Sequence, residues 1–236
     1  MEFIKTGIGD FDALFTHGGY PQGNSIVVMG GPGSGKSIFA MQYIYNGASK
    51  YGESGVYITL EELPEKIRRN MSNFGWDIKG LEDAGKLLIM DATTPRITAE
   101  GVGADVIEKG LEVENLIANM EGTIKELNAV RVVIDSLSLM GIYSKTDFDL
   151  RTQLLKLSAT LSGLGCTSLV VAEAKKDVIG IKEFPPETYM FDGVITLRYD
   201  TDSQERRLAI RKMRGTKHVL GAFNFNIDEN GISVSP

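Results

Sequence analysis

One cysteine, Cys166, and two histidines, His17 and His218, are all the thiol and imidazole that 236 residues contain. A single thiol cannot close an internal disulfide, so nothing points to an oxidising compartment. The three side chains cannot make a structural zinc site by themselves. Long apolar runs are missing too, since none approaches the roughly 18–20 residues a membrane span needs. The N-terminal stretch MEFIKTGIGDFD lacks the charged-then-apolar order of a signal peptide. Positive charge is scarce: 25 Lys and Arg stand against 31 Asp and Glu, for a formal net charge of −6 and a pI near 5.1. That balance argues against a chain that coats nucleic acid, although it leaves room for a local basic patch. There is no linker, low-complexity tract, internal repeat or G-x-S-x-G elbow. The expectation is a soluble, cytoplasmic chain without membrane insertion, folded as one domain over residues 1–236.

What is present alternates. The runs SIVVM (25–29), GVYITL (55–60), KLLIMD (86–91), VRVVID (130–135) and TSLVVA (167–172) have the length and β-branched content of buried strands. Helical stretches separate them. One carries Val106, Gly110, Val113, Ile117, Met120, Ile124 and Leu127 on a single stripe; another carries Leu150, Leu154, Leu157, Leu161 and Leu164. After about residue 188 the helices stop. YMFDGVITLRYD, RRLAIRKM, AFNFNI and GISVS follow as short strand candidates, punctuated by Gly193, Gly215, Gly221 and the Asn230-Gly231 pair. The pattern predicts an α/β fold: a mostly parallel sheet flanked by helices, with a C-terminal antiparallel extension at its edge.

The strongest local signal is GGPGSGKS, which fits G-x-x-x-x-G-K-[ST] with Gly30, Gly35, Lys36 and Ser37 at the fixed positions. It follows the strand SIVVM and precedes the helix-like IFAMQYIYNGASKY, the context a phosphate-binding P-loop requires. Backbone N–H groups of Gly31, Pro-flanked by Pro32, and of Gly33, Ser34 and Gly35 would turn toward phosphate oxygens at the positive end of a helix, with Ile38 just behind. Lys36 would reach the β and γ phosphates of ATP or ADP, and Ser37 would ligate Mg²⁺. Asp135 ends the strand VRVVID, where ligands of parallel sheets bind, and is the candidate second residue for the metal. Glu61 and Glu62 end the strand GVYITL. They are equally readable as acceptors that orient water and as acids placed before a helix opened by Leu63-Pro64. The cluster RKMRGTKH, Arg211 to His218, is basic in an acidic chain and needs an anionic partner.

Taken together, these residues resemble the RecA superfamily of P-loop NTPases, and within it the single-domain relatives of the circadian clock ATPase KaiC. The resemblance runs through TGIGDFDALFTHGGYPQGNSIVVMGGPGSGKS, YITLEELPEKIRRNMSNFGWDI, VVIDSLS, FDGVITLRYD and KMRGTKHVLGAFNFNIDENGISV. It implies slow, Mg-dependent ATP hydrolysis at the subunit interfaces of a ring of six, serving regulation or signalling through an unidentified protein partner. It favours the water-activating role for the paired glutamates, with Glu62 first. It brings Lys212 and Arg214 to the γ-phosphate held by the neighbouring subunit, with Met213, Thr216 and His218 on the nucleotide's far side and Asp228 also at the nucleotide. Glu173 falls where such proteins often place a γ-phosphate sensor. Two alternatives stay open. One is an ATP-gated binding module whose hydrolysis is incidental. The other is a recombinase or helicase whose ring lines its pore with Arg206, Arg207 or Arg211. The chain has one copy of the fold where the clock protein has two. Thr188 and Tyr189 in PPETYMFDG do not preserve the Ser-Thr pair that the clock protein phosphorylates, which puts autokinase activity in doubt.

Overall fold

The structure is a computed structural model that describes residues 1–92, 113–137, 140, 144, 146–174 and 186–235. A short pair, β1 (Phe3–Ile4) and β2 (Tyr20–Pro21), closes the N-terminal segment. Among the described residues the main sheet has nine strands. β3 (Ser25–Gly30) and α1 (Lys36–Asn46) come first, then β4 (Gly55–Thr59), α2 (Pro64–Ser72), α3 (Ile78–Asp83) and β5 (Leu87–Asp91). α4 (Val113–Leu127), β6 (Arg131–Asp135), α5 (Asp147–Gly163) and β7 (Thr167–Glu173) follow. The chain ends in β8 (Gly193–Tyr199), β9 (Arg206–Met213), β10 (Phe223–Asp228) and β11 (Gly231–Ser235). Across the sheet the order is β11-β10-β9-β8-β3-β7-β6-β4-β5.

The strands at 25–30, 55–59, 87–91, 131–135 and 167–173 coincide with the apolar runs read from the sequence and pair in parallel. All six residues of β3 are buried, because both faces of the sheet are covered. Alternation then sorts the side chains. Ile26 and Val28 face a layer with Phe11, Phe39, Tyr43 and Tyr57, whereas Val27 and Met29 face a layer with Met120, Ile124, Leu157 and Leu161. Each such side chain contributes about 1.5–3 kcal/mol on full burial.

The leucine stripe on α5 is core-facing at Leu154, Leu157 and Leu161, and Thr146 caps the helix by accepting from the Asp149 N–H at 3.1 Å. On α4, Met120 and Ile124 are buried; Val106 and Gly110 of that stripe lie outside the described residues. The antiparallel region starts at β9, one strand later than the helix-free pattern suggested. β8 runs parallel to β3, and only its partner β9 turns back. The connection from Glu173 to Gly193 is long enough for a parallel crossover, but its sequence carries no helical stripe to announce one.

Two features had no periodic signal. Asp12 gathers the N-terminal loop by accepting from the Thr6 N–H at 2.9 Å, the Thr6 hydroxyl at 2.7 Å and the Gly7 N–H at 3.0 Å. Buried Gln42 of α1 clamps the β10–β11 hairpin, donating to the Ile232 carbonyl at 3.0 Å and accepting from the Ile232 N–H at 2.6 Å. Gly231, at φ +108°, passes so close to Trp76 that a Cβ would sit 2.6 Å from its ring. The NFGWD segment is therefore a packing element, with Trp76 stacked on Tyr45 at 5.4 Å.

Candidate active site

The C-terminal ends of β3, β4, β6 and β7 converge on one edge, the place where parallel sheets bind ligands. β3 ends at Gly30, and the next seven residues form the loop and the first turn of α1. Gly33 at φ +71° and Gly35 at φ +94° hold left-handed backbone that L side chains rarely adopt. Gly35 is further fixed because a Cβ would lie 2.9 Å from Ile227 Cδ1, which backs the loop. A Cβ on Gly31 or Gly33 would meet no atom within 4 Å, so the loop presents bare backbone outward. Ser34 lies beneath it with its hydroxyl buried and without a hydrogen-bond partner.

Lys36 Nζ donates to the Gly31 carbonyl at 2.9 Å, folding back over the loop. Burial pushes its pKa below the ordinary lysine value, against the opposing pull of Glu173, Asp135 and Glu61. Glu173 ends β7, Asp135 ends β6 and Glu61 lies two residues past the end of β4. Asp135 accepts from the Tyr57 hydroxyl at 2.5 Å, and Ser37 lines the same cavity. Burial raises its pKa, and the Tyr57 and Ser37 hydroxyls partly offset the rise.

The paired glutamates part company. Glu61 accepts a short hydrogen bond from the Ser136 hydroxyl, and its charge acts on both Lys36 and Asp135. The Glu62 backbone is bracketed by the Thr59 hydroxyl, while its carboxylate pairs with Lys66 at 3.0 Å on the outer side of α2. Between α1, the end of β4 and α2 lies a cavity of about 270 Å³, with Ser37, Glu61, Glu62 and Asp135 on one side and Ile67, Met71 and Phe74 on the other. That volume suits water and a phosphoryl group rather than a whole nucleotide. Ile38 lines the same cavity.

The basic cluster is elsewhere. The Arg214 N–H donates to the Asp192 carbonyl at 2.9 Å, the Asp192 N–H donates to Ser25 at 2.8 Å, and the Ser25 N–H returns to the Asp192 carboxylate at 3.1 Å. The Arg214 guanidinium pairs with the same carboxylate at 3.2 Å. Lys212 donates to the Phe191 carbonyl at 2.6 Å, and burial together with the neighbouring Arg214 lowers its pKa. Both cations thus belong to the N-terminal end of β3, away from the chain's own loop.

Met213 turns inward, 7% exposed, with its sulfur 3.9 Å from Asn24 Nδ2. The alternation of β9 sends it opposite to Lys212, toward the chain's own core. Thr216 and His218 are half-buried beside the N-terminal segment, where His218 bridges to Phe15. Asp228 is exposed at the hairpin tip, accepts from the Asn230 N–H at 2.7 Å, and directly follows the Ile227 that backs Gly35. Thr188 is buried and Tyr189 exposed.

Sequence reasoning missed Tyr57, Ser136 and Gln42. Ser136 follows Asp135 directly, and Tyr57 precedes Thr59 by two on the same strand face. Spacing could have pointed to both; nothing in the spacing marked Gln42.

A strand, glycine loop and helix with a buried-stem lysine, set beside strand-end carboxylates on a mostly parallel sheet, define a P-loop ATPase with the RecA-like fold. The chain belongs to the KaiC family: the family model for the KaiC ATPase matches residues 4–236. A UPF0273 protein of Methanocaldococcus jannaschii is 39% identical over 241 residues, covering 100% of this chain and 97% of that one. The circadian clock oscillator protein KaiC of Synechococcus elongatus is 35% identical over 235 residues, covering 99% of this chain but 44% of the clock protein. The crystal structure of a KaiC-like protein from Pyrococcus horikoshii superposes with a TM-score of 0.84 at 35% identity, covering 100% of this chain and 99% of that chain.

Proposed function

We propose that this chain binds Mg-ATP on the Gly30–Ser37 loop and hydrolyses it slowly in a ring-shaped homo-oligomer of six, each site shared by two subunits, with the nucleotide state read by a protein partner. The loop backbone from Gly31 to Ser37 and Lys36 hold the phosphate chain. The donor set fits a hard divalent cation. One hydroxyl and one carboxylate, Ser37 and Asp135, lining the same cavity, are the partial set of oxygen donors that Mg²⁺ takes when phosphates and water complete its shell. When bound, Mg²⁺ would neutralise charge that builds on the phosphate oxygens.

Glu61 orients the attacking water and accepts its proton. It replaces Glu62 as first choice because it faces Lys36 and Asp135, whereas the Glu62 carboxylate is turned to Lys66. Glu173, opposite Gly30 in the β3–β7 pairing, stands where it can register the γ-phosphate through Lys36.

The observation that carries the shared site is the placement of Lys212 and Arg214 at the wrong end of β3 for their own loop. In a head-to-tail ring that edge of one subunit faces the loop edge of the next. A cation delivered there supplies charge as the phosphoryl group transfers, an effect worth ~10³–10⁵ in rate. Thr216, His218 and Asp228 belong to the nucleotide's surroundings in this reading. Met213 supports the strand from beneath.

The test is a mixture of Glu61→Gln and Arg214→Ala chains, each inactive alone. Random assembly pairs an intact loop side with an intact cation side at about one interface in four, so activity should return toward a quarter of wild type. No recovery, with subunit exchange verified, would sink the shared site.

A further inference from the structure

The geometry points to Tyr57 as a positioning residue for the metal site: its hydroxyl fixes the Asp135 carboxylate so that the carboxylate meets the cation bound beside Ser37. This rests on the proposed role of Asp135.

Tyr57 lies on β4 between Val133 and Ile89 and is 1% exposed. Its ring belongs to the apolar layer under α1, where phenylalanine would fill the same space. The hydroxyl is what packing does not require. Buried hydroxyls cost free energy unless bonded, so the choice of partner carries information. Tyr43, in the same layer, satisfies its hydroxyl on the Thr167 carbonyl at 3.1 Å, a bond that only ties helix to sheet. Tyr57 instead reaches diagonally across the strands. Thr59 is the register partner of Asp135, and Tyr57 stands two residues earlier on the same face. Its bond to Asp135 Oδ2 at 2.5 Å pins one carboxylate oxygen from inside the protein. Ser37, in the first turn of α1, lines the same cavity as Asp135. The carboxylate is therefore pinned from the core side and open to that cavity on the other. Groups that hold a metal ligand in orientation commonly change metal affinity by 10–100-fold when removed.

The test compares wild type, Tyr57→Phe and Asp135→Asn as full chains, using ADP binding by calorimetry in EDTA and in saturating Mg²⁺, with Tm measured alongside. The readout is the gain in ADP affinity that Mg²⁺ provides. Tyr57→Phe should bind ADP in EDTA as wild type does and keep its Tm, while losing on the order of tenfold of that gain. A gain equal to wild type, with Asp135→Asn losing it, overturns the role of Tyr57 and leaves Asp135 in place. A gain unchanged in both variants overturns the metal role of Asp135, and this inference with it. Should Tyr57→Phe fail to fold, fluorotyrosine at position 57 gives a second reading. Its fluorine resonance should shift when Mg²⁺ joins the ADP complex, and a resonance that stays put overturns the proposal.

Discussion

Lys36 and Arg214 occupy opposite ends of strand β3: the lysine opens the helix after Gly30, and the arginine is tied through Asp192 to Ser25. At about 3.3 Å per residue, the strand alone separates them by roughly 16 Å. In the proposed function both cations serve phosphate, and at that distance they cannot meet on one nucleotide within one subunit. Their variants should therefore fail differently. Lys36→Ala should lose nucleotide affinity. Arg214→Ala should keep it and lose ~10³-fold or more in turnover. Wild-type turnover per subunit should also fall on dilution below the assembly concentration. Turnover independent of concentration, or Arg214→Ala failing in affinity as Lys36→Ala does, would count against the shared site.

The adjacent glutamates offer a sharper comparison, because they differ in surroundings and not in chemistry. Glu61 is bonded to Ser136 and its charge acts on Lys36, whereas the Glu62 carboxylate makes a surface pair with Lys66. Removing a general base costs about 10²–10⁴ in rate, so Glu61→Gln should lower turnover by that range. Glu62→Gln should cost less than about tenfold, as expected for losing a surface pair. Steady-state hydrolysis at saturating Mg-ATP decides it, and the reverse order would return Glu62 to the first place.

Much of this site was legible where backbone geometry dictates residue type. Gly33 and Gly35 hold left-handed conformations, and a Cβ on Gly30 would lie 2.4 Å from the Leu197 carbonyl oxygen, so the loop calls for glycine at these positions. Asp135 was legible because an apolar run has to end at the sheet's ligand-binding edge. The choice between Glu61 and Glu62 was not, since neighbouring residues on a strand end differ only in direction, and tertiary partners set that direction. Met213 could have been placed from sequence: in Lys-Met-Arg on a strand, the apolar residue goes inward. The Asp12 clamp, three bonds within the N-terminal loop, and the Gln42 clamp, two bonds to Ile232, leave no periodic trace, because neither follows a helix or strand repeat.

Lys36 should weigh on stability before it serves function. Burial lowers its pKa from 10.5, which means the folded chain bears a cost for keeping that charge at neutral pH. Lys36→Met should therefore raise the Tm of the nucleotide-free chain by a few degrees while abolishing ATP binding. The sign of the pH dependence follows. The advantage of the methionine is fully present below the folded-state pKa and fades as pH rises through that value toward 10.5. Thermal melts of both chains across that pH range check it; a methionine variant no more stable than wild type at neutral pH would refute the argument.

Arg131 is the counter-case, a buried charge placed for structure alone. Its side chain is 0% exposed, pairs with Glu53 at 2.5 Å, and donates to the Tyr43 and Lys5 carbonyls, each at 2.7 Å. Its guanidinium also lies 4.6 Å from the centre of the Tyr43 ring. Glu53 is its carboxylate partner, and Glu53→Gln would leave a buried cation uncompensated. The expected loss is about 3–5 kcal/mol, equivalent to a Tm lower by roughly 6–20 °C for a chain of this size. The pair replaced together, Glu53→Gln with Arg131→Met, buries no charge and should recover most of that loss, although the carbonyls of Tyr43 and Lys5 then lose their donors. Unfolding of the nucleotide-free chains, analysed as a double-mutant cycle, measures the coupling directly. A double variant as unstable as the sum of its singles would mean that the two residues act independently, and that Arg131 holds the N-terminal segment through its carbonyl bonds alone.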